Sequence, residues 1–460
     1  MKSSSFLVAS ILVAILAGSW AKYEPTWESL DARPLPQWYD EAKIGIFIHF
    51  GVYAVPAYTS EWFWCFWQCP DRKLQYVDDW MKAHYAPGFT YQDFAKDFTL
   101  EFFDATEWVN LFENSGAKYA VLTSKHHEGY TLWPSKHSFS WNSMDVGPKR
   151  DIVGEFSDAM KKSSLHLGLY HSLFEWFNPL YLADKNNNFT TTDYPDTKGT
   201  AELYELVEAY EPELIWSDGD SGPVEYWKSR EFLTWLYNDS PVKDNVVVND
   251  RWGTDTHCSH GGFLNCHDRY NPGSEQTRKW ENAMTLDRHS WGNRKTMKAS
   301  DVLKPEELLE TLAQTISNGG NILINVGPTK EGVIPPILQE RLYQMGGWLK
   351  HNGEAIYSSK KWTFHNETNH VYYTASSTED AIYAIFFQWP ISNVLNLTHP
   401  VATVQTKMTM LGTDAKVSFQ QNQDKLSVML PNMAEVQSLK HAWTIKLTYI
   451  KSERHPNEIY

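Results

Sequence analysis

Three observations predict a (β/α)8-like TIM barrel followed by a small C-terminal antiparallel β-sandwich. Continuous apolar runs alternate with helix-period segments, the pattern of parallel strands covered on both faces. Each run stops abruptly at polar or ionisable residues, and barrel enzymes gather their chemistry at that end of the strands. From about Tyr357 the helical pattern ceases and short alternating runs follow, as in a sandwich.

The chain divides accordingly. Lys2 gives a short basic start, residues 6–17 form an apolar or small run, and Ser19-Trp20-Ala21 offers small residues to a signal peptidase. Residues 1–21 therefore read as a secretory signal, cleaved after Ala21 or, as second choice, after Ser19. The run is too short to span a bilayer, and no other stretch is long and apolar enough to do so. Residues 22–353 are assigned to the barrel and residues 354–460 to the sandwich. Buried strands are expected at 43–51, 118–123, 166–170, 214–216, 245–251 and 321–327. Residues 280–286 fit as a further strand, and closure of the barrel is left open. Helices are expected at 104–115, 151–163, 201–210 and 305–317, the last opened by a proline suited to a first turn. Residues 56–87 form an aromatic-rich loop after the first strand. Strands of the sandwich are expected at 371–375, 381–389, 403–411, 416–420, 425–430 and 443–450.

Composition narrows the function. A formal charge of −15, from 41 basic and 56 acidic residues, argues against nucleic acid or an anionic membrane as partner. Aromatics make up 15% of the chain, including 21 tryptophans, whose flat faces suit the apolar faces of sugar rings. The four cysteines of a secreted chain should form disulfides, with Cys65–Cys69 and Cys258–Cys266 preferred by proximity and two other connectivities open. His257, Cys258, His260, Cys266 and His267 are of types that suit zinc, but their spacing matches no common zinc module. Asn188, Asn238, Asn366 and Asn396 begin sequons. Asn238 is the poorest, because Pro241 follows its sequon directly.

Ionisable residues stand at the strand ends. The fourth strand ends in Ser217-Asp218-Gly219-Asp220, where a carboxylate at the tip of a buried strand can serve catalysis or simply close a turn. Asp218 is preferred over Asp220, which lies past the turning glycine. Metal binding by His126 and His127 together is not expected, since neighbours on a strand face opposite ways. No metal and no other cofactor is expected.

These strand-end motifs, Ile48-His49-Phe50-Gly51, Ser60-Glu61-Trp62, Lys125-His126-His127-Glu128-Gly129, Leu169-Tyr170-His171-Ser172, Leu214 to Gly219 and Asn249-Asp250-Arg251-Trp252-Gly253, resemble the retaining α-L-fucosidases of the lysosomal and secreted animal type. The resemblance continues through Gly327-Pro328-Thr329 and Asn352-Gly353-Glu354 and covers essentially the whole mature chain. It implies hydrolysis of terminal α-L-fucose from glycoconjugates, with fucosylated glycans as partners, a secreted or lysosomal address and room for a homo-oligomer. It puts the nucleophile at Asp218, with His171 or Arg251 to keep it ionised. It puts the acid/base at Asp268, with Glu281 as runner-up; either must hold a proton when substrate arrives. His49, Glu61, Trp62, His126, His127, Tyr170, Trp216 and Arg251 match positions that line the fucose pocket. Cys65 and Cys69 lie outside the pattern that the family shares.

Overall fold

The computed structural model describes residues 22–367, 370–423 and 425–451, so the expected signal at 1–21 lies outside the described residues. Seven parallel strands curl into one sheet: β1 (Ile44–Ile48), β2 (Tyr119–Lys125), β3 (His166–Ser172), β4 (Leu214–Asp218), β5 (Val247–Val248), β6 (Glu281–Thr285) and β7 (Asn321–Val326). Their order is β5-β4-β3-β2-β1-β7-β6. Every residue of β1, β2, β6 and β7 is buried, as continuous apolar patterning requires of a sheet covered on both faces.

The edges β5 and β6 meet through a makeshift stave at residues 262–264. The amides of Gly262 and Phe263 donate to the Val248 carbonyl at 3.0 and 3.1 Å. On the other side Leu264 donates to the Lys279 carbonyl, and Glu281 donates to the Leu264 carbonyl, both at 2.8 Å. The approach needs glycine. Gly261 has φ +103°, and a Cβ there would lie 2.2 Å from the Asn249 carbonyl oxygen. The barrel thus closes with three residues where an eighth strand would stand.

The expected helices form with small shifts at their ends. Asp104 caps Ala105–Ser115 by accepting from the amides of Thr106 and Glu107, and Gly116 ends the helix at φ 87°. Asp151 proves to be the cap of Ile152–Met160, which stops short of the expected Ser163. Thr200–Tyr210 and Pro305–Ser317 complete the set. Phe47, Tyr119, Tyr170, Trp216, Phe263 and Leu323 pack inside the barrel, and a larger apolar layer separates its outer face from the helices.

After Pro336–Asn352 and a short turn at Gly353–Ala355, the chain turns to antiparallel sheet. The strands are β8 (Asn366–Glu367), β9 (Val371–Ala375), β10 (Ala381–Phe386), β11 (Val394–Leu397), β12 (Val401–Met410), β13 (Ser418–Gln421), β14 (Leu426–Met429) and β15 (Trp443–Lys451). They form a five-stranded sheet, β12-β15-β10-β9-β8, and a three-stranded one, β11-β14-β13, around a second apolar core. Sequence patterning missed β8 and β11. This unit joins the barrel through bonds such as Trp348 Nε1 to the Ala442 carbonyl at 3.0 Å. No described helix is long and apolar enough to cross a membrane.

Candidate active site

A cavity of about 610 Å³ opens at the carboxyl ends of the strands. Its floor is Asp218, the last residue of β4, with a side chain 21% exposed. Tyr170 Oη donates to Asp218 Oδ2 at 2.8 Å and Arg251 Nη1 donates to Oδ1 at 3.0 Å. Burial alone would raise the Asp218 carboxyl. The Arg251 charge and the hydrogen bonds from Arg251 and Tyr170 together outweigh it and hold the group well below the usual carboxylate range. His171, the other candidate for that task, is turned away. Strand alternation sends it to the outer face of β3, where Nε2 faces the Gly199 carbonyl at 3.2 Å.

Arg251 also donates through Nη2 to Asp268 Oδ1 at 2.7 Å. One guanidinium therefore joins two carboxylates, while it lies over the Trp216 ring at 4.6 Å. Asp268 is 57% exposed and reaches the cavity from two residues past the loop closed by the Cys258–Cys266 disulfide. Asp250 Oδ2 braces that loop by accepting from the amides of Cys258 and Cys266. Both disulfides pair as expected, and the thiols that zinc would need are spent in them. His260 is bound instead to Asp31 at 2.7 Å.

Glu281 does not reach the cavity. It is 0% exposed inside the barrel, where it accepts from Tyr39 Oη, Tyr119 Oη and Trp216 Nε1 at 2.8, 2.7 and 3.0 Å. Those three donors occupy both its oxygens. Burial, the largest influence, raises its pKa.

Three imidazoles line the opposite wall. His49 Nδ1 is 2.7 Å from Asn325 Oδ1; the Asn325 amide nitrogen donates elsewhere, so Nδ1 carries the hydrogen and Nε2 is left as an acceptor. Burial, with His126 adding to it, pushes His49 down to about 3. His127 Nδ1 is 2.7 Å from Ser172 Oγ, which already donates to the Phe174 carbonyl, so His127 too presents Nε2. Burial and His126 lower its pKa as well. His126 Nδ1 lies 3.3 Å from Glu128, and its ring stacks on Tyr170. The strand-alternation expectation for the pair fails, because β2 ends at Lys125 and both histidines sit in the following turn, facing the cavity. Among the described residues, the group of His, Cys, Asp and Glu atoms close enough to share an ion is Asp250 with Cys258 and Cys266, and those cysteines are a disulfide.

Glu61 Oε2 accepts from the amides of Trp291 and Gly292 at 2.9 and 3.0 Å, which fixes its carboxylate at the rim. Trp62 stands beside His127, with the Arg72 guanidinium 4.7 Å above its ring. Sequence reasoning missed Phe47, Arg72, Phe174, His257 and Trp291 as wall residues. Trp291 could have been found as an aromatic just past β6, had that strand been certain. Phe47, next to last in β1, and Phe174, two residues past β3, could have been found the same way; Arg72 and His257 carry no strand-end signal.

A sugar-sized cavity walled by indoles, with two carboxylates on one guanidinium, places the molecule among the glycoside hydrolases. Comparison with known proteins gives the family. The family model described as Alpha-L-fucosidase matches residues 12–354, and that described as Alpha-L-fucosidase C-terminal domain matches residues 365–448. The tissue alpha-L-fucosidase of Homo sapiens is 52% identical over 94% of this chain and 92% of that protein. The plasma alpha-L-fucosidase of Rattus norvegicus is 51% identical over 93% of this chain and 94% of its own length. The crystal structure of Thermotoga maritima alpha-fucosidase in complex with fucose is similar with a TM-score of 0.79 and 30% identity, covering 93% of this chain and 100% of that one. The chain belongs to the alpha-L-fucosidase family.

Proposed function

We propose that this chain is a retaining exo-glycosidase that hydrolyses terminal α-L-fucose from glycoproteins, glycolipids and oligosaccharides, through a covalent fucosyl-aspartate. The observation that carries the reading is the Arg251 guanidinium that donates to Asp218 with one nitrogen and to Asp268 with the other, inside the cavity. Retaining hydrolysis needs two carboxyl groups about 5 Å apart, closer than the inverting geometry. Adjacent nitrogens of one planar group support the shorter spacing.

In this reading Asp218 attacks the anomeric carbon while Asp268 gives its proton to the departing oxygen. Asp268, now a carboxylate, takes a proton from water, and that water releases fucose from Asp218. The depressed pKa of Asp218 suits a nucleophile that must stay ionised. The interior position of Glu281 gives it no path to a leaving group, which favours Asp268. The neutral Nε2 atoms of His49 and His127 accept from sugar hydroxyls, as does Glu61, while Arg251 donates. Fucose carries a methyl where many hexoses carry a hydroxymethyl, and Phe47 and Trp291 supply an apolar wall for it.

The tissue and plasma enzymes among the relatives, with the signal-like residues 1–21, support an address in the secretory pathway, lysosomal or extracellular. Asn188, Asn366 and Asn396 are exposed and suit glycan attachment. Asn238 does not, since its amide exchanges two hydrogen bonds with the Tyr23 backbone, both at 2.9 Å. The end of the helix at Asn352 supports a domain boundary at 353/354.

Azide separates the two carboxylates by product stereochemistry. Asp218→Ala with azide should give the inverted fucosyl azide, because azide enters from the vacated face. Asp268→Ala should give the retained one, by attack on the fucosyl-enzyme. Full turnover of an aryl α-L-fucoside by Asp218→Ala, or faster turnover of a β-galactoside by the wild type, would overturn the reading.

A further inference from the structure

The pair Asp220 and His257 also lines the cavity, and the chemistry above does not use it. Asp220 follows Asp218 by two residues, past the turn at Gly219. Its Oδ2 accepts from the Gly253 amide at 3.0 Å and faces His257 Nε2 at 2.9 Å. The other ring nitrogen, His257 Nδ1, faces the Cys266 carbonyl at 3.1 Å. Cys266 precedes Asp268 by two residues. Both atoms that face the imidazole are acceptors, so both contacts are hydrogen bonds only if both ring nitrogens carry hydrogens. The geometry thus favours the imidazolium form of His257, strung between two loops, and the Asp220 hydrogen bond raises its pKa. The charged groups that face it are Asp220, which favours the cation, and Arg251, which opposes it.

Asp268 needs such a restraint. At 57% exposure it has no packing to set its position, and its only side-chain partner among the described residues is Arg251. Asp218, by contrast, ends a strand that pairs along its whole length with β3, in register with Ser172.

We propose that the Asp220–His257 ion pair is a clasp that positions Asp268, tying the loop that leaves the nucleophile to the disulfide loop that bears the proton donor. His257 is then a positioning residue that acts through Asp268, and the inference rests on the reading of Asp268 as the acid/base.

The test exploits the leaving group. His257→Gln and Asp220→Asn are assayed on two α-L-fucosides. One carries 2,4-dinitrophenol, which departs without a proton; the other is a fucosyl disaccharide, whose alkoxide needs one. A clasp predicts that kcat/KM, which reports the step that forms the fucosyl-enzyme, falls by about tenfold or more on the disaccharide and by less than about threefold on the dinitrophenyl fucoside, since proton donation is worth 10²–10⁴-fold where it is needed. The double variant should be no worse than either single one, because both break the same link. Retained dinitrophenyl turnover also shows that the variants fold. Equal losses on both substrates, or wild-type rates on the disaccharide, overturn the clasp. Asp268→Asn is run alongside. If it too shows no leaving-group preference, the proton-donor reading fails and the clasp falls with it; if it alone shows the preference, only the clasp fails.

Discussion

The two halves of the barrel hold their chemistry in different ways. From β1 to β4 the strands are paired along their length, and Asp218, Tyr170 and His49 stand on or just beyond strands whose register places them. From β5 to β6 pairing dwindles to two residues of β5 and a three-residue stave, and Asp268 hangs on a loop held by a disulfide, Asp250, Arg251 and His257. A nucleophile must be aimed at one carbon and gains from a rigid mount. A proton donor must serve leaving groups of many shapes, and a tethered loop suits it.

The largest expected effect separates the halves by reaction step. Asp218→Ala should lower turnover by about four orders of magnitude whatever the leaving group. Asp268→Ala should lower kcat/KM by about 10²–10⁴-fold on a disaccharide and far less on an activated aryl fucoside. A steady-state comparison of the two substrates measures both.

Next comes stability against pH, which should slope in opposite directions in the two halves. His49 titrates at about 3 when folded and near 6.5 when unfolded. Between those values only the unfolded chain takes the proton, so its contribution is complete above 6.5 and is lost as pH falls toward 3, at about 1.4 kcal/mol per pH unit. Urea unfolding of His49→Gln should show a shallower acid-side loss than the wild type. A parallel pair of curves would contradict the assignment.

Replacing both Cys258 and Cys266 by serine should cost about 2 kcal/mol, the value for a loop this short. Amide exchange should quicken in residues 257–268 and stay unchanged in β1–β4; uniform quickening would erase the contrast between the halves. The smallest effect is the mirror image of the His49 slope. Asp220 raises His257 above 6.5, so its contribution is complete below 6.5 and is lost as pH rises through the folded value. His257→Gln should flatten that weak alkaline decline in the same urea experiment.

The same contrast explains what could be read from the chain. Strands β1 to β4 are apolar runs with chemical groups at their tips, so their places, and those of Asp218 and Tyr170, were legible. Strand β6 carries Glu281, Asn282 and Thr285, whose side chains bond inward, to the helix layer and to the loop that follows, so its pattern looked weaker than its role. Residues 262–264 are too few, and too rich in glycine, to signal a stave. The choice between His171 and Arg251 stays open in the sequence because of phase: either face of β3 could meet Asp218, and only register decides. The error over His126 and His127 came from placing them on a strand that ends one residue earlier. In the C-terminal unit, β8 has two residues, too few for alternation to show.

Arg251 is a single positive charge set between two acids. When both acids are ionised, the trio of Asp218, Asp268 and Arg251 carries one net negative charge. A pyranose ring in which a protonated amine replaces the ring oxygen would feel that excess and bind more tightly than neutral fucose. Its advantage should vanish when Asp218 is replaced by asparagine, which makes a weak inhibitor a gauge of the charge that the guanidinium leaves unmatched.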